Sequence, residues 1–80
     1  MKAIKKLITI DKETLGGTPV FYKTRVPVES LFWHLEDGIS LDEFLADFPS
    51  VTKEQAVAVL KLAEKIIVSE NLQKIYETAA

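Results

Sequence analysis

The stretch from Leu15 to Val28, Leu15-Gly16-Gly17-Thr18-Pro19-Val20-Phe21-Tyr22-Lys23-Thr24-Arg25-Val26-Pro27-Val28, constrains this chain more than any other part of it. Two adjacent glycines open backbone angles closed to other residues. Pro19 and Pro27 each fix their own φ and push the residue before them, Thr18 and Val26, toward extended geometry. Together with the β-branched run Leu7 to Ile10, ended by Asp11, the segment predicts a small, sharply turned β-ribbon in which Val20 to Val26 is the second extended stretch. A ribbon that short is not stable alone and must pack on helices or on a second copy.

The helical signals begin where the ribbon ends. Helix one is predicted over Val28 to Asp37, with Pro27 acceptable at its first turn, Gly38 available to close it, and Val28, Leu31, Phe32 and Leu35 on the core face. Helix two starts at Ser40, where Glu43 supplies the reciprocal half of a capping box and Ile39 can staple onto Phe44; its apolar positions are Leu41, Phe44, Leu45 and Phe48. Pro49 blocks continuation, and Thr52 with Gln55 forms a second capping box that starts helix three. Helix three is expected to bury Ala56, Val59, Leu60, Ala63, Ile66 and Ile67. Beyond that the register changes: Val68, Leu72, Ile75, Tyr76 and Ala79 fall on roughly the opposite face. Either the chain breaks near Ser69-Glu70-Asn71 or the last turns form a second contact surface.

The expected fold is therefore mainly α. A single domain comprises a β-ribbon arm over residues 1–27, a three-helix, helix-turn-helix-like (homeodomain-like) bundle over residues 28–67, and a C-terminal helical tail over residues 68–80. A chain of 80 residues buries only about 60 to 65% of the surface its unfolded form exposes, so help from a partner chain is expected. With 48% hydrophobic residues, three glycines and three prolines, the composition is that of a folded protein. The absence of cysteine excludes disulfides and thiolate zinc sites and fits a cytoplasmic location. The basic start Met1-Lys2-Ala3-Ile4-Lys5-Lys6 leads into an apolar run that stops at Thr9, too short for a signal-peptide core or a membrane span.

Charge is segregated along the chain. Residues 1–26 carry six Lys or Arg against two acids, net +4, and residues 27–80 carry four against ten, net −6. A basic arm on an acidic helical body can place Lys2, Lys5, Lys6, Lys23 and Arg25 on phosphates or on an acidic partner; an uneven solvated surface is the plainer alternative.

Helices two and three, separated only by Pro49 to Thr52, follow the order of a helix-turn-helix, whose following helix reads the major groove. Lys53, Gln55 and Lys61 would then be readers or phosphate contacts, although Glu54 opposes phosphate. Arg25 can grip a phosphate, pair with a partner carboxylate, or tie the ribbon to Glu29. Gly16-Gly17 lacks the spacing of a dinucleotide or Walker motif and is better explained by turn geometry. His34, alone and off the core face of helix one, is poor evidence for a metal site. The acid pairs Glu36-Asp37 and Asp42-Glu43 fit polar faces and first turns, where they suit the helix dipole, and no nucleophile with a matching base accompanies them. No enzyme, cofactor or metal is expected. Trp33 points about 150° away from the core face of helix one. Either the ribbon folds over it or it lies in a homodimer contact.

The ribbon motif from Leu15 to Val28, followed by Val28-Glu29-Ser30-Leu31 and then by the run Gly38 to Gln55 (Gly38-Ile39-Ser40-Leu41-Asp42-Glu43-Phe44 and onward through Asp47-Phe48-Pro49-Ser50-Val51-Thr52-Lys53-Glu54-Gln55), resembles the domain of unknown function 433 family over roughly Ile8 to Ala63. Arg25 matches the arginine of that family's ribbon motif. The resemblance implies a small helix-turn-helix module, often encoded beside PIN-like ribonuclease toxins and read as their antitoxin. The expected function is thus the antitoxin of a type II toxin–antitoxin pair, a homodimer that blocks a PIN-like ribonuclease and represses its own promoter DNA. Trp33, Val68, Leu72, Ile75 and Tyr76 are the expected partner contacts. A stand-alone DNA-binding regulator and a dimeric protein–protein adaptor are the alternatives.

Overall fold

The structure is a computed structural model describing residues 2–79, without the side chains of Lys2, Ala3 and Glu70; the part of the basic arm assigned to Lys2 therefore lies outside the described residues. A 3-10 turn over Lys2–Lys6 leads into strand β1, Ile8–Thr9, which pairs antiparallel with β2, Val20–Phe21. The register sets Ile8 opposite Phe21 and Thr9 opposite Val20. Four α-helices follow: α1 Val28–Glu36, α2 Leu41–Asp47, α3 Lys53–Ile67 and α4 Glu70–Thr78.

The connection between the strands is not ribbon throughout. Leu15, Gly16 and Gly17 adopt φ values of 51°, 66° and 93°, a left-handed turn that only glycine makes without strain. Thr18 closes it, donating its backbone N–H and its hydroxyl to the Leu15 carbonyl at 3.2 and 2.9 Å. The expected extended stretch from Val20 to Val26 is likewise interrupted. After Phe21 the chain reverses over Tyr22–Arg25, with the Thr24 amide donating to the Phe21 carbonyl at 3.0 Å and Lys23 at φ 61°. The return limb pairs back: the Phe21 amide donates to the Val26 carbonyl at 3.0 Å, the Val28 amide to the Pro19 carbonyl at 2.9 Å, and Pro27 bridges Val20. Val20 and Phe21, successive residues on opposite faces of β2, are both fully buried. One side is closed by the helices and the other by the chain's own returns.

Local signals at the helix ends operate as their residues dictate. Glu43 N–H donates to the Ser40 hydroxyl at 3.1 Å while Ser40 N–H donates to the Glu43 carboxylate at 3.2 Å; Thr52 and Gln55 repeat the exchange at 3.1 and 3.0 Å. At the end of α1, Gly38 at φ 80° lets its amide reach Leu35 and that of Ile39 reach His34 at 2.8 Å, the two bonds of a Schellman closure.

The core is Phe21, Val26, Val28, Leu31, Phe44, Val51, Ala56 and Val59, flanked by half-buried Leu7, Ile8, Phe32, Leu35, Leu41, Leu45, Phe48 and Leu60. The apolar faces read for α1 and α2 are the ones that pack. His34, however, is not off the core. It inserts between α1 and α2, edge-on to Phe44 at 5.3 Å and Phe48 at 5.5 Å between centroids, because it lies one turn beyond Leu31 on the flank that α2 approaches. Its Nδ1 donates to the Ser30 carbonyl at 2.7 Å, and Nε2 faces the Asp47 carboxylate at 3.6 Å, an ion pair only when the ring is protonated.

The second departure concerns α3. Ile66 and Ile67 were expected in the core and are 59% and 60% exposed. Fifteen residues make a helix of roughly 22 Å, whereas α1 and α2, at nine and seven residues, span only about 10 to 14 Å. α3 therefore outruns its support, and burial fades after Ala63. The helix ends at Val68, Ser69 donates its hydroxyl back to the Ile66 carbonyl at 2.8 Å, and α4 sets off with every residue from Asn71 to Ala79 exposed.

Phe44→Ala, which empties the centre of the core, should cost about 3 to 5 kcal/mol in urea denaturation. A chain ending at Ser69 should keep its cooperative melt and its melting temperature within a few degrees, since every buried residue among those described precedes that point.

Candidate functional site

Of the five residues that the sequence singles out for nucleic acid, four lie on two segments that the fold fastens together. Gln55, in the first turn of α3, carries an amide used at both ends: its Oε1 accepts from the Thr52 backbone, and its Nε2 donates to the Tyr22 carbonyl at 3.1 Å. That second bond spans 33 residues and fastens the Tyr22–Arg25 turn to the start of α3. Lys23 is the next residue after Tyr22, Arg25 closes the same turn, and Lys53 stands two residues before Gln55. The half-buried Gln55 amide is thus a clamp, with its donor and acceptor both engaged inside the chain.

Lys23 holds its ammonium 5.4 Å from the centroid of the Tyr22 ring, a cation–π contact that keeps the charge at the turn's surface. Its φ of 61° belongs to a turn position that favours glycine. Arg25 is exposed, and the suggested tie to Glu29 is not made: among the described residues no Lys or Arg side chain lies within ion-pair distance of a carboxylate. Lys61 lies elsewhere, two turns along α3, where Lys53, Glu54, Val57, Ala58 and Lys61 line a shallow open hollow on the helix's outer face.

The second group is apolar. Val68, Leu72, Ile75 and Tyr76 are exposed as the change of register implied, and Ile66 and Ile67, missed as surface residues because their spacing fits the core face, join them. These six are 40% to 81% exposed on adjoining segments of the chain. Trp33 stands apart on α1 at 56% exposure, so the ribbon does not fold over it. Among the described residues, no group of three or more His, Asp or Glu side chains is placed to hold a metal ion, and no helix is long and apolar enough to cross a membrane.

The described residues form a mainly helical module of four helices with a short two-strand antiparallel sheet at its N-terminal end. The family described as "Protein of unknown function (DUF433)" matches residues 8–63, and the chain belongs to it. That span ends at Ala63, where burial in α3 fades. The crystal structure of a DUF433 member protein from Anabaena variabilis ATCC 29413 is similar, with a TM-score of 0.67, 26% sequence identity, and 95% of this chain and 71% of that chain covered. The uncharacterized protein y4eO of Sinorhizobium fredii (strain NBRC 101917 / NGR234) is 34% identical over 55 residues, 69% of this chain. The match takes in 25% of that relative's length.

Gln55→Ala removes both the clamp and half of a capping box and should lower stability by about 1 to 2 kcal/mol. Gln55→Glu keeps the acceptor for Thr52 but turns a carboxylate oxygen toward the Tyr22 carbonyl in place of the donor, so at least about 1 kcal/mol should be lost. Lys23→Gly relieves the positive φ and should be neutral or stabilising by up to about 1 kcal/mol, the partial offset being glycine's larger unfolded-state entropy. Urea titrations of the three variants check all three values.

Proposed function

We propose that this protein is the antitoxin of a type II toxin–antitoxin pair. In this reading it captures a PIN-like ribonuclease on the apolar face made by the end of α3 and by α4, and it represses its own promoter through α2 and α3 acting as a helix-turn-helix. The observation that carries the reading is the exposed set Ile66, Ile67, Val68, Leu72, Ile75 and Tyr76. Large apolar side chains left this open on adjoining segments are what a docked partner would cover. The anchors on α4 follow the i, i+3, i+4 spacing of a helix laid into a partner's groove.

The nature of the partner is taken from the family resemblance. The promoter-binding half is supported by the five-residue connection Phe48–Thr52 between two capped helices and by the outer face of α3, which carries Lys53 and Lys61 with the small apolar Val57 and Ala58 between them. Trp33 is assigned to the contact between two copies of the chain, since more than half of a large aromatic surface is otherwise left to solvent.

The test is capture of the protein encoded by the adjacent reading frame, co-expressed with tagged antitoxin. Leu72→Asp with Tyr76→Asp should weaken capture at least tenfold while leaving the helical circular dichroism and the melt unchanged. Equal capture by the double variant would take the docking face off α4, and DNA binding without any capture would favour a stand-alone regulator. Sedimentation of Trp33→Ala should show a shift toward monomer; a wild-type chain that is monomeric at high concentration would remove the dimer from the scheme.

A further inference from the structure

We propose that the Tyr22–Arg25 turn and the first turn of α3 form a single cationic edge that grips nucleic-acid backbone phosphates. Lys23, Arg25 and Lys53 make the contacts, and Gln55 acts as the positioning residue that holds the two segments together. The inference deepens the promoter-binding half of the function proposed above and rests on it.

Four observations carry the edge. The Gln55 Nε2 bond to the Tyr22 carbonyl, 3.1 Å long, fastens the turn that carries Lys23 and Arg25 to the helix start that carries Lys53. Lys23, Arg25 and Lys53 are all exposed, and none is spent in an ion pair among the described residues. The chain accepts a lysine at φ 61°, where glycine would sit without strain, and that places a charge at the tip of the turn. Finally, residues 1–26 are net +4 in a chain whose remainder is net −6, so attraction to a polyanion has to be local and the turn is where the basic segment meets the helices.

The chemistry of the edge fits phosphate in particular. Arg25 presents a planar fork of donors, Lys23 and Lys53 are point charges, and the first amides of α3 add the positive end of a helix dipole. Gln55, the side chain best suited to reading adenine, is committed to Tyr22 and Thr52 and reads nothing. The edge therefore positions the duplex without specifying its sequence, and base reading falls to the outer face of α3 around Val57, Ala58 and Lys61. Glu54, exposed beside Lys53, opposes the phosphate and limits affinity.

The experiment measures anisotropy of two labelled duplexes, one taken from immediately upstream of the reading frame and one unrelated, between about 50 and 200 mM salt. Wild type is compared with Lys23→Gly, Arg25→Gln and Gln55→Ala. Lys23→Gly and Arg25→Gln should each weaken binding to both duplexes alike and flatten the slope of log affinity against log salt by about 0.9. The gap to wild type then narrows roughly threefold across that salt range. Gln55→Ala should also flatten the slope although it removes no charge, an effect that simple destabilisation would not produce. Glu54→Gln should tighten binding to both duplexes.

Binding by the wild type with slopes unchanged in the turn variants would overturn the edge and leave promoter binding standing. A wild type that binds neither duplex, alone or with its partner, would overturn both. Turn variants that keep their DNA affinity but lose the captured protein would make the edge an acidic-protein contact and overturn the phosphate assignment. Misfolding does not confuse the outcome, because Lys23→Gly suits the backbone at that position and Arg25 is outside the core.

Discussion

The contact between Phe21 and Phe44, with ring centroids 6.1 Å apart and both side chains fully buried, is the interaction on which the rest of this small structure depends. Phe21 belongs to a strand of two residues that no ladder of its own could stabilise, and Phe44 to a helix of seven residues that would not persist in water. Each becomes structured by burying the other. From that pair the core spreads through Phe48, at 5.0 Å from Phe44, and through Val28 and Leu31 of α1 and Ala56 and Val59 of α3. Among the described residues no polar or charged side chain is buried in the interior, and none holds a buried side-chain polar atom without a partner.

How much of this was legible in the sequence depended on how far each signal reached. The Ser40–Glu43 and Thr52–Gln55 boxes and the Gly38 closure act within a few residues, and they set the helix ends where the sequence places them. The faces of α1 and α2 followed from periodicity for the same reason. What failed depended on neighbours. A lysine at positive φ gives no warning of a turn, so Val20 to Val26 read as one extended stretch. Ile66 and Ile67 continue the periodicity of Ala56, Val59 and Leu60, and only the shortness of α1 and α2 exposes them. His34 read as polar surface because its contacts come from another helix.

The candidate sites show the same division. The apolar residues of α4 announced themselves by falling out of phase with the core. Gln55 was expected to read bases because its position in α3 suited that role; its bond to Tyr22, 33 residues away, has no sequence signature. The tie between Arg25 and Glu29 was one of three roles open to an arginine where ribbon and helix meet, and the turn that ends at Arg25 leaves its side chain exposed instead.

The unequal lengths of the helices acquire a meaning once both proposed surfaces are placed on α3. Its first turn is fixed to the ribbon by Gln55, and its last turn passes beyond the core to begin the apolar face. About 22 Å of continuous hydrogen-bonded helix separates the two ends. A ribonuclease docked around Ile67, Leu72 and Tyr76 would then lie well away from a duplex held near Lys23, Arg25 and Lys53, so the two partners need not compete. Under the proposed function, that separation would let the complex with the toxin, as well as the free chain, hold the promoter. In the proposed scheme the partner would also cover the overhang that the core leaves bare, and binding the folded chain alone would add to its stability by mass action.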